Sequence, residues 1–196
     1  MKLKHSFAIA GLGALALALT GCVVTSVYPF HFEKDLVFEP ALLGDWVKDA
    51  AATDHWKFER EGPDAYRLTY TDSQKSSVAQ ARLFKLRDQT FLDLYASEPK
   101  DEGLFPTIPS HLLLRVVQTG PTLAMAALND KWLRQLVEKN PKALRHLFVQ
   151  EGTDKRLVLT ADTAELQRFV VKHLKTEAAW ETSEELQRAT AMPPSR

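Results

Sequence analysis

The sequence holds one cysteine, Cys22, among its 196 residues. A single cysteine excludes a disulfide within the chain, so the fold must be stabilised by its core. Lysine plus arginine equals aspartate plus glutamate at 25 each, which leaves no excess of positive charge to hold a nucleic acid. With 45% hydrophobic and 26% charged residues, the composition instead predicts one ordinary globular domain.

Motifs that carry chemistry are also missing. The sequence has no Gly-x-Ser-x-Gly elbow, no P-loop and no dinucleotide-binding glycine pattern. Asp93 lies between two leucines; it is either half of a catalytic pair or, more simply, a solvent-facing strand position. We therefore expect no catalytic residue, no metal and no cofactor. The histidines beyond the first 21 residues lack the spacing of zinc ligands; they are His31, His55, His111, His146 and His173.

The first 21 residues differ from the rest. Lys2 and Lys4 are followed by an uninterrupted run of apolar residues and glycine from Phe7 to Leu19, which is shorter than the roughly 20 residues of a membrane-spanning helix. The run ends in Leu19-Thr20-Gly21-Cys22, which resembles the lipobox of bacterial lipoproteins. The alternative is an ordinary secretory signal with an incidental cysteine.

The lipobox resemblance implies that Cys22 carries the lipid. In that family the signal peptide is removed before the cysteine, whose thiol and new amino group are acylated, and more than one acyl chain gives stable attachment to a membrane. Val23 stands where an aspartate would resemble an inner-membrane retention signal. The resemblance thus implies a cell-envelope lipoprotein anchored in the outer membrane and facing the periplasm.

Four regions follow from this interpretation. Residues 1–21 are the signal peptide, 22–35 the lipidated cysteine with a short tether, 36–190 a single domain and 191–196 a frayed tail. The tether carries Tyr28, Phe30 and Phe32 instead of a Ser/Gly-rich spacer. These aromatic side chains either rest at the membrane interface or pack against the domain, and we favour packing.

Short segments with period-two alternation predict strands between residues 42 and 129. Trp56 and Phe58 alternate with polar residues, as do Tyr66, Leu68 and Tyr70. Further strands are predicted at 78–86, 90–96, 112–118 and 122–128. Most links between them are short turns, which favours an up-and-down antiparallel meander over parallel pairs.

After residue 129 the period becomes helical. Trp132, Leu133, Leu136 and Val137 share one helical face, with Asn129 or Asp130 as N-cap. We predict a helix to about Lys139, a second short helix after Pro141 that turns Leu144, Leu147 and Phe148 to the core, a strand at 156–160 and a helix from Asp162. The predicted fold class is β-rich α+β: a curved antiparallel sheet, lipocalin-like or a partial barrel, with amphipathic C-terminal helices packed on it.

The segment Leu42-Leu43-Gly44-Asp45-Trp46 resembles the Gly-x-Trp of lipocalins and related small barrels. In that family the glycine lets the chain turn into the barrel floor and the tryptophan plugs that end. The alternative is a core tryptophan after a tight turn. Small residues within 122–128 either leave a cavity in the barrel or let a helix pack closely on the sheet.

Two functions remain open at this point. The first is a non-catalytic interaction or assembly module of the cell envelope with an unknown protein partner. The second is a lipocalin-like carrier of a small apolar ligand, such as a lipid or fatty acid, inside the curve of the sheet. The candidate lining residues are Trp46, Trp56, Phe58, Tyr66, Tyr70, Phe84 and Met125.

Overall fold

The computed structural model describes residues 23–49, 51–73, 75–96, 110–151 and 153–189. The predicted signal peptide, Cys22 and the tail 191–196 lie outside these ranges. Within them the strands are β1 (Thr25–Ser26), β2 (Gly44–Val47), β3 (His55–Arg60), β4 (Tyr66–Thr71), β5 (Ser76–Leu86), β6 (Gln89–Tyr95), β7 (His111–Thr119), β8 (Thr122–Ala127), β9 (His146–Glu151), β10 (Asp154–Leu159) and β11 (Glu184–Arg188). The helices are α1 (Asp130–Lys139) and α2 (Thr163–Lys172), and 3₁₀ turns lie at Glu33–Asp35, Pro40–Leu42 and Glu177–Ala179.

Eight of the strands form a closed antiparallel barrel. Their order is β6-β5-β4-β3-β2-β11-β8-β7, and β6 also pairs with β7. From β2 to β8 each strand pairs antiparallel with the next along the chain, which confirms the predicted up-and-down meander. The other three strands, β1, β10 and β9, extend the sheet outward from the start of β7.

Apolar side chains form two cores, one on each face of the barrel wall. Inside the barrel, paired strands bring Leu83, Leu92 and Leu114 together on one side of the sheet. On the outer face, Phe84 and Phe91 are buried beneath the helices and the N-terminal segment. Both faces of β5 to β8 are therefore covered, which explains why the alternation along these strands is weak.

The predicted tether contributes to the fold from Val23 onward. β1 pairs with the start of β7 and with β10, and the side chains of Val24 and Phe30 are buried in the outer core. Tyr28 and Phe32 remain exposed. The packing arrangement that we favoured thus holds for Phe30, whereas its two aromatic neighbours face solvent.

Of the two predicted N-caps of α1, Asn129 is the one that the structure shows, and Asp162 caps α2. The Asn129 side chain accepts a hydrogen bond from the backbone N–H of Trp132 at 2.7 Å, and Asp162 accepts one from that of Glu165 at 2.9 Å. Leu133 of α1 is buried against the outer face of the barrel. In the part of the chain described here, no helix is long and apolar enough to cross a membrane.

Two predictions about the C-terminal half are wrong. The helices are not C-terminal additions to the sheet, because β11 follows α2 and completes the barrel between β2 and β8. The short helix expected after Pro141 is absent; β9 pairs there with β10, and although Leu144 is buried, Leu147 and Phe148 are exposed. A full ladder of backbone hydrogen bonds with β10 outweighs the helical spacing of three apolar residues.

Candidate functional site

One end of the barrel, called the mouth below, opens into a cavity of about 710 Å³. The mouth lies where β3, β5 and β7 begin and where β4 and β6 end. Trp56 pairs with Tyr70, Leu68 with Ala79, and Leu94 with Leu112, so that each pair turns to the same side of the sheet. The apolar wall of the cavity consists of Trp56, Leu68, Val78, Ala79, Leu94 and Leu112.

Polar side chains surround this apolar wall at the rim. The rim carries both signs of charge, since Asp54 and Asp72 are acidic and Lys75 and Arg156 are basic. The Tyr70 hydroxyl donates a hydrogen bond to Asp54 at 3.3 Å. Burial, together with the charge and hydrogen bond of Asp54, raises the pKa of Tyr70 to about 12, so the phenol is neutral at physiological pH. The cavity thus has an apolar interior and a polar rim. The formal charges of these four rim residues sum to zero.

The opposite end of the barrel, called the closed end below, is crossed by residues 37–43. The backbone N–H of Val37 donates to the carbonyl of Leu83 at 2.9 Å, and the N–H of Glu39 donates to the Tyr66 hydroxyl at 2.6 Å. Phe38 stacks on the Tyr66 ring at 4.8 Å between centroids. These contacts fix the segment across the barrel end.

Arg188 ties the last strand to this closed end. Its guanidinium donates to the carbonyls of Leu43 and Ala41 at 2.9 Å each and lies 4.3 Å from the centre of the Trp46 ring. Gly44 allows this approach: its φ is +121°, and a Cβ there would lie 2.6 Å from Nη1 of Arg188. Trp46 is fully buried and donates its indole N–H to the carbonyl of Leu42 at 2.9 Å. The Gly-x-Trp segment therefore lies at the closed end.

A buried carboxylate lies on the outer wall close to the mouth. Asp93 is only 1% exposed and accepts hydrogen bonds from the backbone N–H of Phe30 at 2.9 Å, from His31 Nδ1 at 3.1 Å and from His111 Nδ1 at 2.8 Å. Burial alone would raise its pKa, but the hydrogen bonds from both histidines outweigh burial and lower it. The expected solvent-facing position for Asp93 is thus wrong. The carboxylate fastens the N-terminal segment to β6 and β7.

Sequence reasoning missed this cluster because its members are far apart in the chain. His31 is 62 residues from Asp93, and His111 is 18 residues away on the next strand. The only local signal is a charged residue within the apolar run 91–95. Among the residues that the structure describes, no group of histidine, cysteine, aspartate and glutamate side chains could hold a metal ion.

The structure separates the predicted lining residues into three sets. Trp56 and Tyr70 line the cavity. Four others belong to the inner core and fill the barrel beneath it; they are Trp46, Phe58, Tyr66 and Met125. Phe84 was placed wrongly, since it points away from the barrel interior and packs in the outer core against Phe91 at 5.5 Å between ring centroids. The aliphatic members of the wall, such as Leu68 and Leu94, were missed.

Comparisons of the chain with known protein families, with curated proteins and with solved structures gave no match. The barrel, its cavity and the sequence before it are therefore the features that bear on function.

Proposed function

We propose that the chain is a lipid-anchored cell-envelope protein whose barrel binds a small apolar ligand, such as a lipid or fatty acid, without catalysing a reaction. The observation that carries the proposal is the cavity of about 710 Å³ at the mouth. Its volume falls within the roughly 300–1,000 Å³ of small-molecule sites, and such sites combine an apolar wall with a few polar groups. The geometry favours this carrier over the interaction module that we placed first from sequence.

The closed end supports a binding role because described residues cover it, which leaves the mouth as the entrance that we propose. Residues 37–43 and Arg188 cover the far end of the barrel, and the side chains of Trp46, Phe58 and Tyr66 fill the space next to it. A ligand therefore enters at the mouth and meets a packed floor. The glycine and tryptophan of the lipocalin-like segment lie at that floor, which favours a lipocalin-like arrangement.

The anchor is proposed from sequence alone. The lipobox-like residues 19–22 predict acylation of Cys22, attachment through lipid, and location at the outer membrane on the periplasmic side. Substitution Cys22→Ser should abolish the labelling of the protein by radioactive palmitate in growing cells. Equal labelling of the variant would overturn the assignment.

Ligand binding is tested with cis-parinaric acid, a fatty acid whose fluorescence rises in an apolar site. Ala79 lies in the cavity wall opposite Leu68, so Ala79→Trp should fill part of the cavity and weaken probe binding severalfold or more. The matched control is Ala164→Trp, at a half-buried position on α2 away from the cavity, which should bind the probe like the wild type. Equal binding by both variants, each with an intact circular dichroism spectrum, would refute the cavity as the site.

The interaction module remains a second candidate because of exposed apolar side chains on β9. Leu147 and Val149 are 58% and 46% exposed on an edge strand of the sheet. Edge strands with exposed apolar side chains are common sites of association with other proteins. A wild-type protein that binds no fatty acid but is crosslinked through β9 to an envelope protein would favour this candidate.

A further inference from the structure

The wall of the cavity continues outside the barrel as a mostly apolar strip. Leu112 of the cavity wall pairs with Thr25 of β1, Thr25 pairs with Val158 of β10, and Val158 pairs with Leu147 of β9. Partners in adjacent strands turn to the same side of a sheet. The face that lines the barrel interior at Leu112 therefore extends through the mouth onto β9. We call the outer part of this face, formed by Leu147, Val149 and Val158, the ledge.

The ledge ends at an edge strand that no other described strand covers. Among the described residues β9 is the last strand of the sheet, and its Leu147 and Val149 are both largely exposed. Arg156 pairs with Val149 and also lines the mouth. The ledge thus presents apolar side chains beside a basic residue, a combination favoured where acyl chains meet headgroups.

The chain reaches the mouth from the residue that we propose to be lipidated. Val23 lines the cavity, and Cys22 is its neighbour in the sequence. Val23 is therefore the described residue next to the proposed lipidation site, and it lies at the mouth. Acyl chains on Cys22 would therefore hold this end of the barrel, and not the closed end, at the bilayer surface.

We propose that the mouth and the ledge rest on the membrane to which the chain is anchored, and that the lipid surface itself is the partner of the ledge. This inference depends on the proposed lipid attachment at Cys22. An apolar ligand then moves between the bilayer and the cavity along this mostly apolar face. The closed end, with residues 37–43, faces away from the membrane.

The experiment measures which end of the barrel touches lipid. The full-length lipidated protein is reconstituted into phosphatidylethanolamine and phosphatidylglycerol vesicles, with a thiol-reactive fluorophore on either Ser73→Cys or Val117→Cys. Ser73 is exposed at the mouth, whereas Val117 is exposed at the closed end, where it borders a cleft with Phe38. The acylated Cys22 has no thiol, so that the label reacts only with the introduced cysteine. Nitroxide-labelled phospholipid should quench the Ser73 label severalfold more than the Val117 label.

A second comparison tests the ledge itself. Leu147→Glu combined with Val149→Glu should reduce the quenching of the Ser73 label, because carboxylates on the ledge disfavour contact with acyl chains. Val117→Glu, an equally exposed apolar position at the other end, should leave that quenching unchanged. Equal quenching of both labels, failure of the protein to float with the vesicles, or crosslinking of the ledge to a second protein in place of lipid quenching would each overturn the proposal.

Failure of this orientation is distinguishable from failure of the binding function. The comparison of Ala79→Trp with Ala164→Trp tests probe binding. Its result does not depend on how the barrel lies on the bilayer. Loss of probe binding by Ala79→Trp alone, together with equal quenching of both labels, would keep the carrier and reject the orientation. Unchanged probe binding by Ala79→Trp, together with stronger quenching of the Ser73 label than of the Val117 label, would keep the orientation and reject the carrier.

Discussion

Gly44→Ala should destabilise the barrel by a mechanism that acts through Arg188. The new methyl group would lie 2.6 Å from Nη1 of Arg188, and the φ of +121° is one that alanine rarely adopts. The backbone strain costs about 1–3 kcal/mol. Displacing the exposed guanidinium from the carbonyls of Leu43 and Ala41 and from the Trp46 ring adds about 1–2 kcal/mol, near the lower end for charge-assisted hydrogen bonds and an exposed cation–π contact.

Gly62→Ala separates these two contributions. Gly62 has a φ of +145°, but no atom lies within 4 Å of a Cβ built there, so only the backbone strain applies. We therefore expect Gly44→Ala to lower the free energy of unfolding by about 1–2 kcal/mol more than Gly62→Ala. Urea unfolding followed by tryptophan fluorescence measures both values, since Trp46 packs against the affected guanidinium.

A double-mutant cycle provides the decisive comparison. In an Arg188→Ala background the clash is gone, and Gly44→Ala should cost no more than Gly62→Ala costs in the wild type. The coupling between positions 44 and 188 should therefore be about 1–2 kcal/mol. If Gly44→Ala costs the same with and without the arginine side chain, the role assigned to Gly44 at the closed end is wrong.

Three further predictions concern buried groups. Because hydrogen bonds lower the folded pKa of Asp93 from 3.8, its stabilisation is present above pH 3.8 and is lost as the pH falls through the lower folded value. Acid unfolding should therefore be steeper in the wild type than in Asp93→Asn, and equal acid sensitivity would contradict this. Leu133→Ala should lower the free energy of unfolding by about 2–5 kcal/mol in urea titrations, because the side chain is fully buried between α1 and the barrel; a loss near zero would show that α1 does not pack there. Ultraviolet titration should show a tyrosine with a pKa of about 12, because burial and then the Asp54 carboxylate raise the pKa of Tyr70. This titration should disappear in Tyr70→Phe, and its pKa should fall in Asp54→Asn. An unchanged titration in both variants would exclude Tyr70 as its source.

Barrel strands could be predicted from sequence where only one of their two faces is buried, because apolar and polar residues then alternate. Trp56 and Phe58 alternate with exposed residues on β3, and the structure turns both into the barrel. On β5 the neighbours Leu83 and Phe84 are both buried, one inside the barrel and one under the helices. Alternation cannot assign the faces of such a strand, which is why Phe84 was placed in the barrel interior.

The rest of the site depends on contacts between distant parts of the chain. β11 has one buried apolar residue, Leu186, and its role appears only from pairing with β2 and β8. Three of the six aromatic lining candidates, Trp46, Phe58 and Tyr66, fill the barrel instead, whereas small side chains such as Ala79 lie at the cavity. Sequence composition does not reveal how far along the barrel axis each side chain lies.

The position of β11 also constrains the order in which the chain can fold. Arg188 contacts the carbonyl of Leu43 across 145 residues, and β2 has no second barrel neighbour until β11 arrives. Closing a loop of this length costs conformational entropy before the pairing can repay it, which makes this contact slow to form. A chain that is synthesised from its N-terminus must therefore keep its barrel open until β11 emerges. The final strand supplies that delay, because the barrel cannot close while it is still missing.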